Sequence, residues 1–161
     1  MKKLLVDYTT YNIGANRKVI QLLKDNRSLI KKKTNSSFDT LASTVQHIWL
    51  AEEIWLNRMK GSTKTLKSSE FKGKNKKLLY AFEQSSMAFH DFVADQPKSF
   101  FSATCHLKTR KGAKYTQTNQ EIILHCMNHS TQHRGQIITM LRQLGATKMV
   151  SVDYINYLQN K

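Results

Sequence analysis

In the stretch NHSTQHRGQI, Asn128 to Ile137, two imidazoles stand four residues apart, at His129 and His133. On a helix that spacing stacks them one turn apart on one face, where an amphipathic helix normally carries Leu or Ile. A polar side chain at a core position carries a desolvation penalty unless it has a partner. Two imidazoles on a common face can share one metal ion. HxxxH alone is a weak signal, since two hydrogen-bonded, partly exposed histidines produce it equally well. His47 strengthens the metal reading. It belongs to a second helical segment, flanks the stripe through Ile48 and Trp55, aligns with Ala51 and Ile54, and in a bundle can meet the His129/His133 face. Three histidines leave coordination positions open for water or substrate, as catalytic sites do and closed structural sites do not. Imidazole suits zinc and nickel, with zinc favoured by availability.

The remaining candidates divide by geometry. His125 lies one turn before His129, but each four-residue step advances a helix by roughly 400°, which puts it about 80° round from His133. It therefore suits the rim. His90 and His106 show no partner in the sequence and read as ordinary surface or loop residues. A zincin needs HExxH, and Ser130 stands where its glutamate would be. Di-iron bundles need ExxH pairs, and Cys126 occupies that offset before His129. Cys126 itself reads as a buried structural thiol, and no GxSxG elbow supports a serine triad.

These side chains need long helices to carry them. The chain has 161 residues, 40% of them hydrophobic, with one proline and six glycines. That scarcity of breakers favours helices over a many-turned β fold, and the length fits one domain, 1–161. Helical spacing runs from about Leu4 to Ile30, with Leu5, Tyr8, Ile13, Val19, Leu22 and Leu23 among its apolar members. A second segment, about Phe38 to Met59, repeats apolar residues at Leu41, Val45, Ile48, Ala51 or Leu50, Trp55 and Met59. After Gly61 comes a Lys/Ser/Thr-rich connector to about Gly73. A third segment, about Lys76 to Ala94, sets Leu79, Phe82, Ser86, Phe89 and Val93 on one side and stops before Pro97. FFSATCHL and AKYTQ are β-prone and flank the turn-like KTRKG, so a small hairpin or irregular crossover is expected there. Thr118 and Glu121 form a capping box that opens a fourth segment, which runs to Leu144 and stops at Gly145. Its seam reads Ile122, Cys126, His129, His133, Gln136 or Ile137, Met140 and Leu144. A short amphipathic tail, VDYINYLQ, follows. The expected fold is all-α: a four-helix bundle with a longer crossover between helices 3 and 4 and a short C-terminal helix.

Composition bounds the partners. With 26 Lys+Arg against 11 Asp+Glu the formal charge is +15, which invites a nucleic-acid reading. The lysines, however, gather in segments rich in Gly, Ser, Thr and Asn, at Lys31 to Lys33, Lys60 to Lys77 and Lys108 to Lys114. No zinc-finger spacing or RNA-recognition aromatic motif accompanies them. A basic surface with weak, salt-sensitive and sequence-insensitive binding is expected, and no specific nucleic-acid partner. No apolar run approaches the roughly 20 residues of a membrane span, MKKLLVDYTTYN does not read as a secretion signal, and Cys105 and Cys126 give no disulfide framework. A reducing cytoplasm is the expected compartment.

QHIWLAEEIWLNRM (Gln46 to Met59) and LHCMNHSTQHRGQIITMLRQLG (Leu124 to Gly145) resemble the DinB/YfiT-like family, the bacterial damage-inducible bundles rather than the polymerase that shares the name. The early YTTYNIGANRKVI and the late VDYINYL match as well, so the resemblance covers nearly the whole chain. Gly14 departs from it, since many relatives carry an aromatic residue beside "AN". That bears on pocket shape and leaves the metal ligands alone. The family's ligand pattern falls on His47, His129 and His133. The resemblance further implies a homodimer and a divalent-metal site used with low-molecular-weight thiols as co-substrate. A surplus of aromatic residues (Tyr8, Tyr11, Trp49, Trp55) points to a dimer too. Two functions follow: a metal-dependent enzyme, either a thiol S-transferase or a hydrolase, or a non-catalytic metal-binding stress protein whose basic surface contacts acidic partners.

Overall fold

The computed structural model describes residues 1–62, 74–108 and 112–161. Helix α1 spans Lys2–Asp25, α2 Leu41–Met59, α3 Asn75–Asp95, α4 Lys98–Ser102, α5 Asn119–Gln143 and α6 Tyr154–Gln159. Strands β1 (Thr104–Lys108) and β2 (Lys114–Thr118) pair antiparallel, with His106 opposite Thr116. The protein is an all-α four-helix bundle of α1, α2, α3 and α5. The expected hairpin sits between the third and fourth long helices, and its turn lies outside the described residues, as does most of the Lys/Ser/Thr-rich connector.

Local chemistry sets the ends. Thr118 caps α5 by accepting from the Glu121 N–H while the Glu121 side chain accepts from the Thr118 N–H, the reciprocal box expected of that pair. Gly145, at φ +89°, takes the left-handed turn that ends the helix. Elsewhere the boundaries differ from expectation. α1 stops at Asp25 because Asn26 leaves helical geometry (φ −116°, ψ 40°) and its side-chain amide turns back to donate to the Leu22 carbonyl. A single 3-10 turn, Arg27–Leu29, follows it. α2 begins at Leu41 rather than Phe38, because Thr40 is extended and forms a capping box with Ser43. Residues 100–102, expected to be β-prone, instead belong to the short α4, which begins immediately after the extended Pro97.

The apolar core falls into two clusters. Val19, Leu23, Leu41, Val45, Leu79, Phe82, Ile137 and Met140 belong to one; Leu5, Leu56, Met59, Phe89, Val93, Ile122 and Cys126 belong to the other. The clusters give the helix directions. α1 and α5 run from the second cluster to the first, while α2 and α3 run the opposite way. α2 packs against α5, and α1 lies across the bundle from it, between α3 and α5.

Between the two apolar clusters is a polar layer. Asn12, Asn16, Glu52, Ser86, Ser130 and Arg134 are all buried, Glu52 and Arg134 completely. α6 folds back on α1, where Tyr154 and Tyr157 pack on Tyr11 and Tyr154 also meets Tyr8. Two of the aromatic residues expected to favour a dimer are thus used within the chain. No helix among the described residues is long and apolar enough to cross a membrane.

Candidate metal centre

Because α2 and α5 are antiparallel neighbours, His47 comes level with the turn between His129 and His133. The three imidazoles each offer one ligand atom, and these atoms all lie within 4.8 Å of one another. His129 Nε2 is 3.0 Å from His47 Nε2 and 3.2 Å from His133 Nε2. A tetrahedral ion at the usual zinc–nitrogen length of about 2.0–2.1 Å separates its ligand atoms by roughly 3.3 Å. Two of the three pairs already stand near that spacing.

Proton arithmetic favours a cation at this point. A ring nitrogen holds either one N–H or one lone pair, so His129 Nε2 can make a good hydrogen bond to only one of its two close neighbours. One ion accepting all three lone pairs satisfies every Nε2 at once. The tautomer of one ligand is already set. His133 Nδ1 lies 2.7 Å from Gln136 Oε1; an amide oxygen only accepts, so Nδ1 carries the proton and Nε2 presents its lone pair to the cluster. His133 is buried, while His47 and His129 are half-buried. His129 Nδ1 has no hydrogen-bond partner.

Burial, followed by the neighbouring His133, His47 and His125, pulls the His129 pKa down from 6.5 to about 4. A neutral imidazole is the form that binds metal. The depressed value also fixes a sign. Between pH 6.5 and about 4 the unfolded chain takes up a proton that the folded chain refuses, so stability falls as the pH drops through that window. We expect the urea midpoint of metal-free protein to decline from pH 7 to pH 4.5, and the decline to flatten in His129→Gln. An equal slope in the two proteins would reject this.

Aromatic rings border the cluster. The Phe38 ring lies 4.4 Å from that of His47 and 5.7 Å from that of His133. On the other side exposed His125 sits 6.0 Å from His129 and meets Trp55 edge-on at 5.0 Å, which is the rim position its angle predicts. Trp55 in turn stacks under Arg58. His106 is exposed on β1, near Thr116. His90, expected to be an ordinary surface or loop residue, is half-buried and faces α1, with Nδ1 2.8 Å from the buried Thr9 hydroxyl. Cys126 is fully buried, and burial holds its thiol well above the ordinary range, consistent with a structural role. Gly14 lines a groove of about 180 Å³ with Tyr11, Lys18 and Tyr157. None of the three clustered histidines lines it.

The polar layer behind the cluster was not anticipated from the sequence. Ser130 and Arg134 each follow a clustered histidine by one residue and point into the bundle. Arg134 donates to Asn12 and Asn16 Oδ1 and to Thr131 Oγ1. Both asparagine amides donate onward to Glu52 Oε1, at 2.8 and 3.2 Å. Ser86 donates to Glu52 Oε2 at 2.7 Å, and Ser130 to Oε1 at 3.3 Å. Burial pushes the Glu52 carboxyl up, and the donors from Asn12, Ser86 and Asn16 together with the Arg134 charge oppose it. A guanidinium stays protonated even here, so an ionised Glu52 balances it through two asparagine bridges. Helix periodicity could have revealed the carboxylate: Ile48, Glu52 and Leu56 are four apart, which places Glu52 on the buried stripe.

Three comparisons bear on this arrangement. The DinB family pattern matches residues 1–161. The Protein DinB of Bacillus subtilis (strain 168) is 25% identical over 157 residues, covering 92% of this chain and 90% of that protein. The crystal structure of a DinB-like protein from Bacillus cereus ATCC 10987 superposes with a TM-score of 0.68 at 19% identity, over 88% of this chain and 92% of the other; that likeness shows a shared fold. With a family pattern that runs from the first residue to the last, the chain belongs to the DinB family.

Proposed function

We propose that His47, His129 and His133 bind one divalent metal ion, zinc or nickel, and that the loaded protein is an enzyme acting as a thiol S-transferase or a hydrolase. The observation that carries this reading is the convergence of three Nε2 atoms whose mutual contacts cannot all be hydrogen bonds. A divalent ion held by three neutral imidazoles supplies Lewis acidity, which lowers the pKa of a thiol or water at its open position. The chain's own residues do the rest. His133, oriented by Gln136, keeps its lone pair on the site, and Phe38 and Trp55 offer apolar walls that suit an aliphatic or aromatic part of a substrate. The co-substrate is a low-molecular-weight thiol.

In the same reading the 161 residues work as one domain in the cytoplasm, as a homodimer. Exposed Leu124, Ile155 and Leu158 supply apolar surface for the second copy. The +15 charge contributes weak, salt-sensitive retention on polyanions and no sequence preference.

A screen of zinc- and nickel-loaded protein with glutathione or cysteine and a panel of electrophiles tests the activity. Conjugation or hydrolysis is expected from wild type and none above background from His129→Ala, whereas retention on DNA at low salt is expected to be equal in the two. Equal turnover by both proteins would remove the cluster from the chemistry. Metal binding without turnover on any electrophile would favour the non-catalytic metal-binding stress protein.

A further inference from the structure

Residues 31–40, which lead from the 3-10 turn into α2, cross the mouth of the histidine cluster. Their ends are pinned to each other and to the bundle. The Thr34 N–H donates to the Asp39 carbonyl at 2.9 Å, and the Ala42 N–H to the Ile30 carbonyl at 3.1 Å; Lys33 and Thr40 form an antiparallel bridge. Phe38, on this segment, is half-buried against two of the three imidazoles. The other attachment is Gln136. Its Oε1 accepts from His133 Nδ1–H at 2.7 Å, and its amide nitrogen donates to Ser37 Oγ at 3.1 Å. One amide thus joins the neighbour of Phe38 to the ring of His133.

We propose that Gln136 is a positioning residue for the metal site. It holds the lone pair of His133 on the ion and, through Ser37, holds Phe38 across the cluster as the wall that restricts which small molecules reach the open coordination position. This rests on the metal reading above and goes beyond it by naming what sets ligand geometry and access. The two hydrogen bonds of the amide have separate tasks. The bond to His133 fixes tautomer and ring angle, and loss of such outer partners typically lowers metal affinity by roughly 10–100-fold. The bond to Ser37 fixes the segment, and its loss leaves the ligands in place while freeing the wall.

Cobalt(II) and azide as sole probes separate these tasks, with cobalt affinity and its visible spectrum as the first readout and azide affinity of the cobalt form as the second. Gln136→Leu removes both bonds and is expected to weaken cobalt binding about 10–100-fold and to alter the spectrum. Gln136→Glu keeps an acceptor for His133, and the Ser37 hydroxyl can turn to donate to the new carboxylate, so cobalt affinity stays near wild type and azide does not bind more tightly. Ser37→Ala, which removes the tie, and Phe38→Ala, which removes the ring, are expected to keep cobalt affinity near wild type while azide binds more tightly, with unchanged thermal unfolding in Ser37→Ala. Wild-type cobalt affinity in Gln136→Leu would overturn the role assigned to Gln136. Unchanged azide affinity in both Ser37→Ala and Phe38→Ala would overturn the wall. Wild-type protein that takes up no cobalt would overturn the metal reading and this inference with it, a result distinct from the other two.

Discussion

Glu52→Leu is expected to destabilise the fold by about 3–5 kcal/mol, the usual cost of removing one partner from a buried charged set. The substitution is close in size and apolar, so the loss is electrostatic in origin. It leaves the Arg134 guanidinium buried without its counter-charge and strips the Asn12, Asn16 and Ser86 donors of their acceptor. For a chain of this length that corresponds to a fall of roughly 10 °C in unfolding temperature. Arg134→Leu is expected to cost a similar amount, since Glu52 then becomes the lone buried charge. The double variant Glu52→Leu/Arg134→Leu is expected to be more stable than the sum of the two losses, by about 1–3 kcal/mol, because neither orphaned charge remains. Chemical denaturation of the four proteins checks this. Strict additivity would show that the two groups act independently, contrary to the bridging asparagines.

The second large effect is on stability through metal. An ion that binds only the folded chain stabilises it in proportion to the logarithm of its excess, by about 4 kcal/mol at a thousand times its dissociation constant. Zinc added to wild type is therefore expected to shift the urea midpoint upward by an amount that grows with concentration. In His47→Ala, His129→Ala and His133→Ala the shift is expected to vanish while far-ultraviolet circular dichroism stays helical. The helices do not depend on these rings: His47 and His129 are half-buried, and two apolar clusters hold the bundle on either side of them. An equal zinc shift in all four proteins would place the ion elsewhere.

The parts of this protein legible in its sequence are those whose physics is local. The α5 capping box needs only Thr118 and Glu121 within one turn, and the stop at Gly145 needs only a residue that tolerates positive φ. The histidine cluster was legible for a related reason. Imidazole at two successive core-type positions is anomalous on any amphipathic helix, and a third histidine on another helix gives the anomaly a common explanation. Periodicity also set Ser86 among the buried residues of α3, where it belongs. Glu52 and Arg134 are not legible because charged residues on a helix are normally solvated, and the apolar spacing of α2 runs as readily through Ala51 and Trp55 as through the buried Glu52 and Leu56. Their burial makes sense only with partners on other helices, which periodicity does not reveal. The same holds for Gln136, Ser37 and Phe38, which meet across a segment with no regular structure of its own. The Asn26 break in α1 was hidden differently, since asparagine inside a helix is tolerated often enough that only its backbone conformation marks the end.

The most direct measurement is the location of the ion itself. Crystals grown with zinc, with data collected on both sides of the zinc absorption edge, give an anomalous difference map that reports the metal and little else. One strong peak per chain is expected, between α2 and α5, about 2.0–2.1 Å from the Nε2 atoms of His47, His129 and His133. A map with no peak among those three rings, at a zinc concentration that saturates the protein in solution, would contradict it.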